Sequence, residues 1–434
     1  MVVVTSAVAP RRVRPPQRPI RITLDGRSIV ADAEASLTAA LVAEGEWALA
    51  RSPKFHRPRG PACMRGGCDG CLMRVDDTPN VMTCLCQAHD GARVERQNVV
   101  LSPKLDVLRA TDWFFPHGMN HHEMFAGIPG IQGLVQAFAR RVSGLGELPE
   151  KARAARSNVE NVEVEVLVVG AGLAGLEVAR GLAAAGKSVL VCDDRPTPGG
   201  AARGLLATGA LDFDLDGALE TLGTALRCET TAFGVLEGGD WLLDHPRAGL
   251  LRVGSRNQVV ATGGHDAPAT FPGNDIPGVI SARAALALLD QGVLVGAEPI
   301  VVGDGPHARA FAAAARGHGA TVRVVHAVTS ARGLSTVKSA DVVDRAGDAE
   351  HKVDADAVVH DAPPAPCFEL AVQAGAEVTH AERGYSVRVD ADGRTKNPRL
   401  FAVGEVTGAR FEVDELRGAA RRTVAALLAQ TEQP

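Results

Sequence analysis

Five of the chain's eight cysteines, Cys63, Cys68, Cys71, Cys84 and Cys86, crowd between positions 63 and 86. Without a secretory signal, thiols packed this closely point to a metal rather than to cross-links. The segment PACMRGGCDGCLMRVDDTPNVMTC spaces four of them as Cys63-x4-Cys68-x2-Cys71-x12-Cys84. Four thiolates are needed to hold two ferric ions and two sulfides, and C-x4-C-x2-C with a distant fourth cysteine is the spacing of plant-type [2Fe-2S] sites. Gly66, Gly67 and Gly70 let the loop wrap closely and present backbone N–H groups to the sulfurs, which tunes the potential. A zinc ion held by four cysteines is the alternative. Zinc usually draws on two short pairs, and Cys84-x-Cys86 is a poor second pair. Cys86 stays open as a replacement for Cys84 in the fourth place.

A second constellation lies in VEVLVVGAGLAGLEVARGLAAAGKSVLVCDD, residues 164 to 194. An apolar run ends at Gly170, a helical pattern follows through Leu182, and a second apolar run closes on Asp193 and Asp194. In Gly170-x-Gly172-x-x-Gly175 the first glycine makes the tight turn. The second lets backbone approach a pyrophosphate, and the third lets helix lie on strand. Unpaired N–H groups at the helix start attract phosphates without a basic side chain. Asp193 lies at the tip of the second strand, where a carboxylate can accept from ribose hydroxyls.

A third stretch, PIVVGDGPHARAFAAAARGHGATVRVVH at 299 to 326, repeats the strand, glycine turn, helix, strand order with Gly303-x-Gly305-x-x-Ala308. Its final alanine is an accepted variant. Position 326 is His rather than an acid, and no clear NADP arginine replaces it, so NAD, NADP and an empty second site all stay open. Two dinucleotide folds in one chain suggest two nucleotides with reactive rings face to face. No serine or cysteine nucleophile motif is present, and no C-x-x-C dithiol lies beside the nucleotide folds. No catalytic residue is assigned.

The elements that must position these groups follow from the pattern. IRITLDGRSIVA at 20 to 31 reads as two strands joined at Asp25-Gly26, a strong hairpin signal. A helix is expected over Ser36 to Glu44. Hairpin, helix and cysteine loop follow the order of a β-grasp ferredoxin. DWFFPHGMNHHEMFAGIPGIQ, with His117, His121 and His122, reads as a packed connector rather than a metal site, and a helix is expected over Leu134 to Leu145. NQVVATGGHDAPATFPGNDIPGV at 257 to 279 is a buried strand running into Thr262-Gly263-Gly264 and then a crossing between domains. Near the end, the strand Leu400 to Val403 meets Gly404-Glu405, and a helix begins at about Asp414.

The expected organisation is α/β. Residues 1–19 form a disordered tail, 20–103 a [2Fe-2S] ferredoxin-like domain and 104–160 a connector. Two Rossmann-like dinucleotide-binding folds follow: the first in two parts, 161–280 and 382–434, which the resemblance given below makes an FAD-binding domain, and an NAD(P)-binding-like domain at 281–381. A length of 434 residues suits several domains. With 46% hydrophobic and 22% charged residues the composition is that of a globular protein, and the net charge of -5 argues against nucleic acid. No apolar run reaches the ~18 to 20 residues of a membrane span. The arginines of MVVVTSAVAPRRVRPPQRP follow its apolar start, the reverse of a secretory signal, so a cytoplasmic location is expected. With 4% aromatic residues the chain has little from which to build an aromatic cage for an amine.

Arg195 and the pair Gly199-Gly200 follow the acidic tip as they do in the two-dinucleotide flavoprotein oxidoreductases, which the chain resembles here. That favours FAD at the first site. Thr262-Gly263 is similar to the A-T-G hinge of the same superfamily, and the Gly404-Glu405 segment to its closing motif. There the acidic residue is usually Asp and meets the flavin's ribityl chain; Glu405 is one methylene longer. Across nearly its whole length, through PKFHRPRGPACMRGGCDGCLMRVDDTPNVMTC, the DWFF run and the paired nucleotide folds, the chain resembles the alpha subunit of the heteromeric sarcosine oxidase, opine oxidase and hydroxyproline dehydrogenase family. The resemblance implies an electron-transfer subunit of a secondary-amine oxidase or dehydrogenase. Its partner would be an FAD-containing, amine-oxidase-like beta-type subunit, with room for a small iron-sulfur or other electron-acceptor protein. In sarcosine oxidase the alpha subunit's nucleotide is NAD, so FAD and NAD both stay open at the first fold. The resemblance does not extend to the C-terminal folate-binding domain of sarcosine oxidase alpha subunits, so one-carbon transfer to folate is not expected. An autonomous NAD(P)H-dependent reductase with a fused ferredoxin, and a nucleotide-binding scaffold without turnover, are the competing readings.

Overall fold

The computed structural model describes residues 11–53, 55–97 and 159–431, together with positions 131 and 133. The DWFF connector and the helix expected over Leu134 to Leu145 lie outside the described residues. The chain divides into two compact units, one of residues 1–152, 269–304 and 311–361, the other of 153–268, 305–310 and 362–434. The crossings thus fall near 268 and 361, rather than at the expected 280 and 381. The reason is a short ribbon in which Gly264 pairs with Pro366 and His265 with Ala365, so that the outgoing and returning segments meet there.

In the first unit, Asp25 and Gly26 both take positive φ, 48° and 81°, the geometry of a two-residue hairpin turn whose twist matches its strands. The strands they join, Pro19–Leu24 and Arg27–Asp32, pair antiparallel. They lie in a five-stranded sheet with Arg93–Glu95, Leu72–Val75 and Thr78–Met82. Pro19–Leu24 runs parallel to Arg93–Glu95 at its centre. Ile22, Leu24, Ile29 and Ala31 are buried. The expected helix spans Leu37–Ala43; the Ser36 hydroxyl accepts the Ala39 N–H at 3.2 Å as its cap.

The tail expectation is corrected for residues 11 to 19. Arg11–Arg12 pair antiparallel with Val293–Leu294, the Val13 N–H donates to Gly292 O at 2.9 Å, and the Arg14 guanidinium donates to Asp290 O at 2.6 Å. Backbone pairing with a distant edge, which needs no apolar pattern of its own, orders this arginine-rich stretch.

The same unit holds a four-stranded parallel sheet in the order Val279–Ser281, Ala357–His360, Pro299–Val302, Arg323–Val325. A three-stranded antiparallel sheet, Ala327–Arg332, Ser339–Val343 and His351–Asp354, follows the last of these in sequence. Parallel neighbours require crossovers, and the helix Pro306–Gly317 supplies the one between Pro299–Val302 and Arg323–Val325.

The second unit is built on a seven-stranded sheet. Val159–Val169 is flanked by Val189–Cys192 and Gly249–Val260, both parallel to it, and Leu400–Ala402 pairs parallel with Gly249–Val260. Trp241–His245 and Thr231–Val235 extend the sheet as an antiparallel meander. One face packs on the helices Leu173–Ala184 and Val413–Thr431 through Val166, Val168, Leu176, Ala420 and Leu427. The other carries Leu167, Val169, Trp241 and Leu243. Strands covered on both faces read as unbroken apolar runs, and that is how Val166 to Val169 stand in the sequence. Among the described residues no helix is long and apolar enough to cross a membrane.

Candidate cofactor sites

The cysteine loop places four thiols as two pairs. Cys63 Sγ stands 3.4 Å from Cys68 Sγ, and Cys71 and Cys84 hydrogen-bond to each other. Cys63, Cys71 and Cys84 are buried and Cys68 half-buried. Within each pair one thiol goes down and the other up. The hydrogen bond from Cys63, with the amides of Ala62 and Gly70 assisting against burial, lowers Cys68 to about 6. The same bond, with burial, raises Cys63. Cys71 is lowered by its bond from Cys84, against burial; Cys84 is raised by the same bond and by burial. Loop amides face the sulfurs: the Arg65 N–H donates to Cys63 at 3.4 Å, and Gly67 and Gly66 donate to Cys63 and Cys84. Cys86 is half-buried, and its thiol turns to Gln87 O at 3.8 Å.

Glycine is required in this loop by close approach. A Cβ on Gly70 would stand 1.8 Å from Gly60 O, and one on Gly60 would stand 2.9 Å from Pro277 Cβ. Next to these contacts the Ser281 N–H donates to Ala62 O at 3.0 Å. Cys63 therefore follows directly on a segment fixed against the start of the helix Ala282–Asp290.

In the second unit the first glycine turn gathers most of the residues expected there. Gly170 has φ +107°, and a Cβ on it would meet Ala261 O at 2.3 Å; one on Gly175 would meet Gly170 O at 2.0 Å. Gly172 differs. Its φ is -76°, and a Cβ there would meet only Gly200 Cα, at 3.9 Å. Gly172 also bridges to Gly199, so the two glycine segments lie side by side at the helix start. The strand Gly249–Val260 leads to Ala261, which covers Gly170, and on to Gly263, whose carbonyl accepts the Cys367 N–H at 3.0 Å. Gly404, at φ +89°, faces Ala174 of the helix's first turn, where a Cβ would come within 3.3 Å. Buried Glu405 opens the short 3-10 turn that follows.

Asp193 is buried just past the strand Val189–Cys192 and turned toward the glycine loop. Its carboxylate accepts the Ala171 N–H at 2.7 Å and the Arg195 N–H at 3.0 Å, with the Arg195 guanidinium at 3.4 Å. The carboxylate thus serves first to hold the turn's own backbone. Pattern reasoning had no access to the Ala171 bond, which spans 22 positions.

At the second glycine turn Gly303 follows the strand Pro299–Val302 with φ +107°, and a Cβ on it would stand 3.0 Å from Asp361 Cβ. Gly305 precedes the helix Pro306–Gly317, on which Ala308 is buried. At the tip of the next strand His326 is exposed, and Arg323 is paired with Asp344 at 3.4 Å.

Comparison with known proteins agrees with this layout. Residues 17–99 match the 2Fe-2S iron-sulfur cluster binding domain, and residues 164–336 the pyridine nucleotide-disulphide oxidoreductase family. The alpha subunit of sarcosine oxidase from Rhizobium meliloti (strain 1021) is 28% identical over 311 residues, 65% of this chain and 32% of that protein. An opine oxidase subunit from the same organism is 34% identical over 163 residues, 34% of this chain and 35% of that protein. The chain thus spans about a third of the length of these curated relatives. In fold it is similar to L-proline dehydrogenase from P. horikoshii, with a TM-score of 0.72 at 20% identity over 98% of this chain and 76% of that one. A [2Fe-2S] cluster and FAD are the cofactors these two domains bring. The chain thus joins a segment that matches an iron-sulfur cluster binding domain to one that matches the pyridine nucleotide-disulphide oxidoreductase family, and it is similar to sarcosine oxidase alpha subunits and to an opine oxidase subunit.

Proposed function

We propose that the chain is the electron-transfer, alpha-type subunit of a secondary-amine oxidase or dehydrogenase complex, with a beta-type flavoprotein partner acting on the amine. The observation that carries this reading is the presence, in one chain, of two thiol pairs, three of their four thiols buried, in loops beside a five-stranded sheet, and of a glycine cradle in a nucleotide fold. FAD, when bound, supplies two-electron chemistry and the cluster one-electron chemistry.

Cys63 with Cys68 would hold one iron and Cys71 with Cys84 the other. For the dinucleotide, Gly172 is the telling residue. Gly170 and Gly175 are glycine because the chain itself leaves no room for a Cβ, whereas no atom of the chain excludes one at Gly172. A phosphate seated on the first turn of the helix Leu173–Ala184 gives the reason. Asp193 holds that turn and keeps lone pairs for a ribose hydroxyl, since each carboxylate oxygen accepts more than one bond. Arg195, Gly199, Gly200, Gly263, Gly404 and Glu405 would border the rest of the nucleotide, and Gly303, Gly305 and Ala308 the second fold.

Co-expression with an amine-oxidase-like partner tests the reading. The expected result is a stable complex in which sarcosine, an opine or a proline derivative bleaches the flavin and then reduces the cluster. A chain that stays monomeric beside that partner sinks it. The second glycine turn also supports an autonomous NAD(P)H reductase. Mixing NADH or NADPH with the isolated chain in a stopped-flow instrument separates the two, because that reading alone requires fast flavin bleaching by nicotinamide.

A further inference from the structure

We infer that Thr83, backed by Thr38, is a positioning residue for the Cys71–Cys84 thiol pair, and that this buried hydroxyl chain raises the reduction potential of the cluster held there. The inference rests on the assignment of those thiols to the cluster.

Thr83 immediately precedes Cys84, and the pairing of Leu72 with Met82 brings it opposite Cys71. Its hydroxyl donates to Cys71 O at 2.8 Å, and its N–H donates to the same oxygen at 3.2 Å. Thr38, from the helix Leu37–Ala43, lies behind it with the two hydroxyl oxygens 2.8 Å apart, and the Thr38 N–H donates to Thr83 O at 3.2 Å. Both threonines are fully buried. A hydroxyl has one proton to give. Since that of Thr83 goes to Cys71, Thr38 must supply the proton between the two threonines. The bonds therefore run in one direction, Thr38 to Thr83 to Cys71.

Valine would fill either position with nearly the same volume and no polar group to satisfy. A buried hydroxyl is tolerated only when it is bonded, and here both are spent on tying the helix to the two thiol-bearing segments. Aligned dipoles that turn their hydrogens toward Cys71 favour added negative charge, more strongly in a low-dielectric interior than in water. Reduction of the cluster adds one such charge.

The test is a redox titration followed by electron paramagnetic resonance on the full chain, with iron and sulfide counted for each variant. Thr83→Val should keep its iron and sulfide and shift the midpoint potential to more negative values. Thr83→Ser, which keeps the hydroxyl, should return it to that of the unaltered chain, and Thr38→Val should show a smaller shift of the same sign. A fully loaded Thr83→Val at the unaltered potential, or a Thr83→Ser that matches Thr83→Val, overturns the inference. Where Thr83→Val assembles no cluster, Thr38→Val decides: a negative shift supports the inference and an unchanged potential overturns it. An unaltered chain without iron and sulfide, or a Cys71→Ser variant that keeps the whole cluster, fails the thiol assignment first and the role of Thr83 with it.

Discussion

At the scale of single residues, glycines that look alike in the motif do different work. Gly175→Val drives a side chain into Gly170 O, which already lies 2.0 Å from where a Cβ would stand. The expected cost is about 1–3 kcal/mol of overpacking with a reduced flavin content, measured by denaturant unfolding and by extracted flavin per chain; full occupancy would refute the cradle. Gly172→Ala should instead leave stability nearly unchanged and weaken nucleotide binding, because its Cβ meets no chain atom closer than 3.9 Å. The glycine spacing and the strand-end acid were legible in the sequence because a turn of this kind is local. The bond from Ala171 N–H to Asp193 was not, because it depends on two parallel strands lying side by side. The Thr38–Thr83 pair was hidden for a similar reason: 45 positions separate the hydroxyls, and neither has a neighbour in sequence that marks it.

At the scale of elements, charged side chains anchor the ends of strands and helices. The Asp32 carboxylate accepts the N–H groups of Gln17, Arg18 and Glu34 at 2.8 to 3.1 Å. Burial pushes this carboxyl up, but the backbone donors outweigh it and hold it below the ordinary range. A group whose folded pKa is depressed contributes stability above its unfolded pKa and loses it as pH falls. The melting temperature of the Asp32→Asn variant should therefore lie below that of the unaltered chain at pH 6, and the gap should narrow toward pH 3 in a series of thermal melts. In the second unit Glu177, buried on the helix Leu173–Ala184, accepts from Arg417 at 2.7 Å and Arg180 at 2.9 Å. Glu177→Ala should cost about 1–3 kcal/mol in urea unfolding by stranding those donors. The helix Val413–Thr431 that carries Arg417 begins one residue from the expected Asp414, while its end was not read from the sequence. The strand Arg11–Arg12 was not, since two residues have no period and only a partner at Val293–Leu294 makes them a strand.

At the scale of the whole chain, the thiol pairs and the first glycine cradle belong to different compact units, and their losses should be separable. Cys68→Ser should abolish the cluster spectrum and leave flavin bound; an intact cluster spectrum would show the ligand set to be wrong. The iron-sulfur portion has a further property that follows from its packing. A glycine at 60 lies against Pro277, and Ala62 is bonded to Ser281, so the metal-binding loop has its seat on residues more than two hundred positions downstream. Replacing this portion with a ferredoxin from another protein would bring the right ligands and the wrong underside: any side chain at the equivalent of Gly60 would lift the graft off its support. Engineers who wish to exchange the redox centre must therefore transplant the 276–281 stretch along with it.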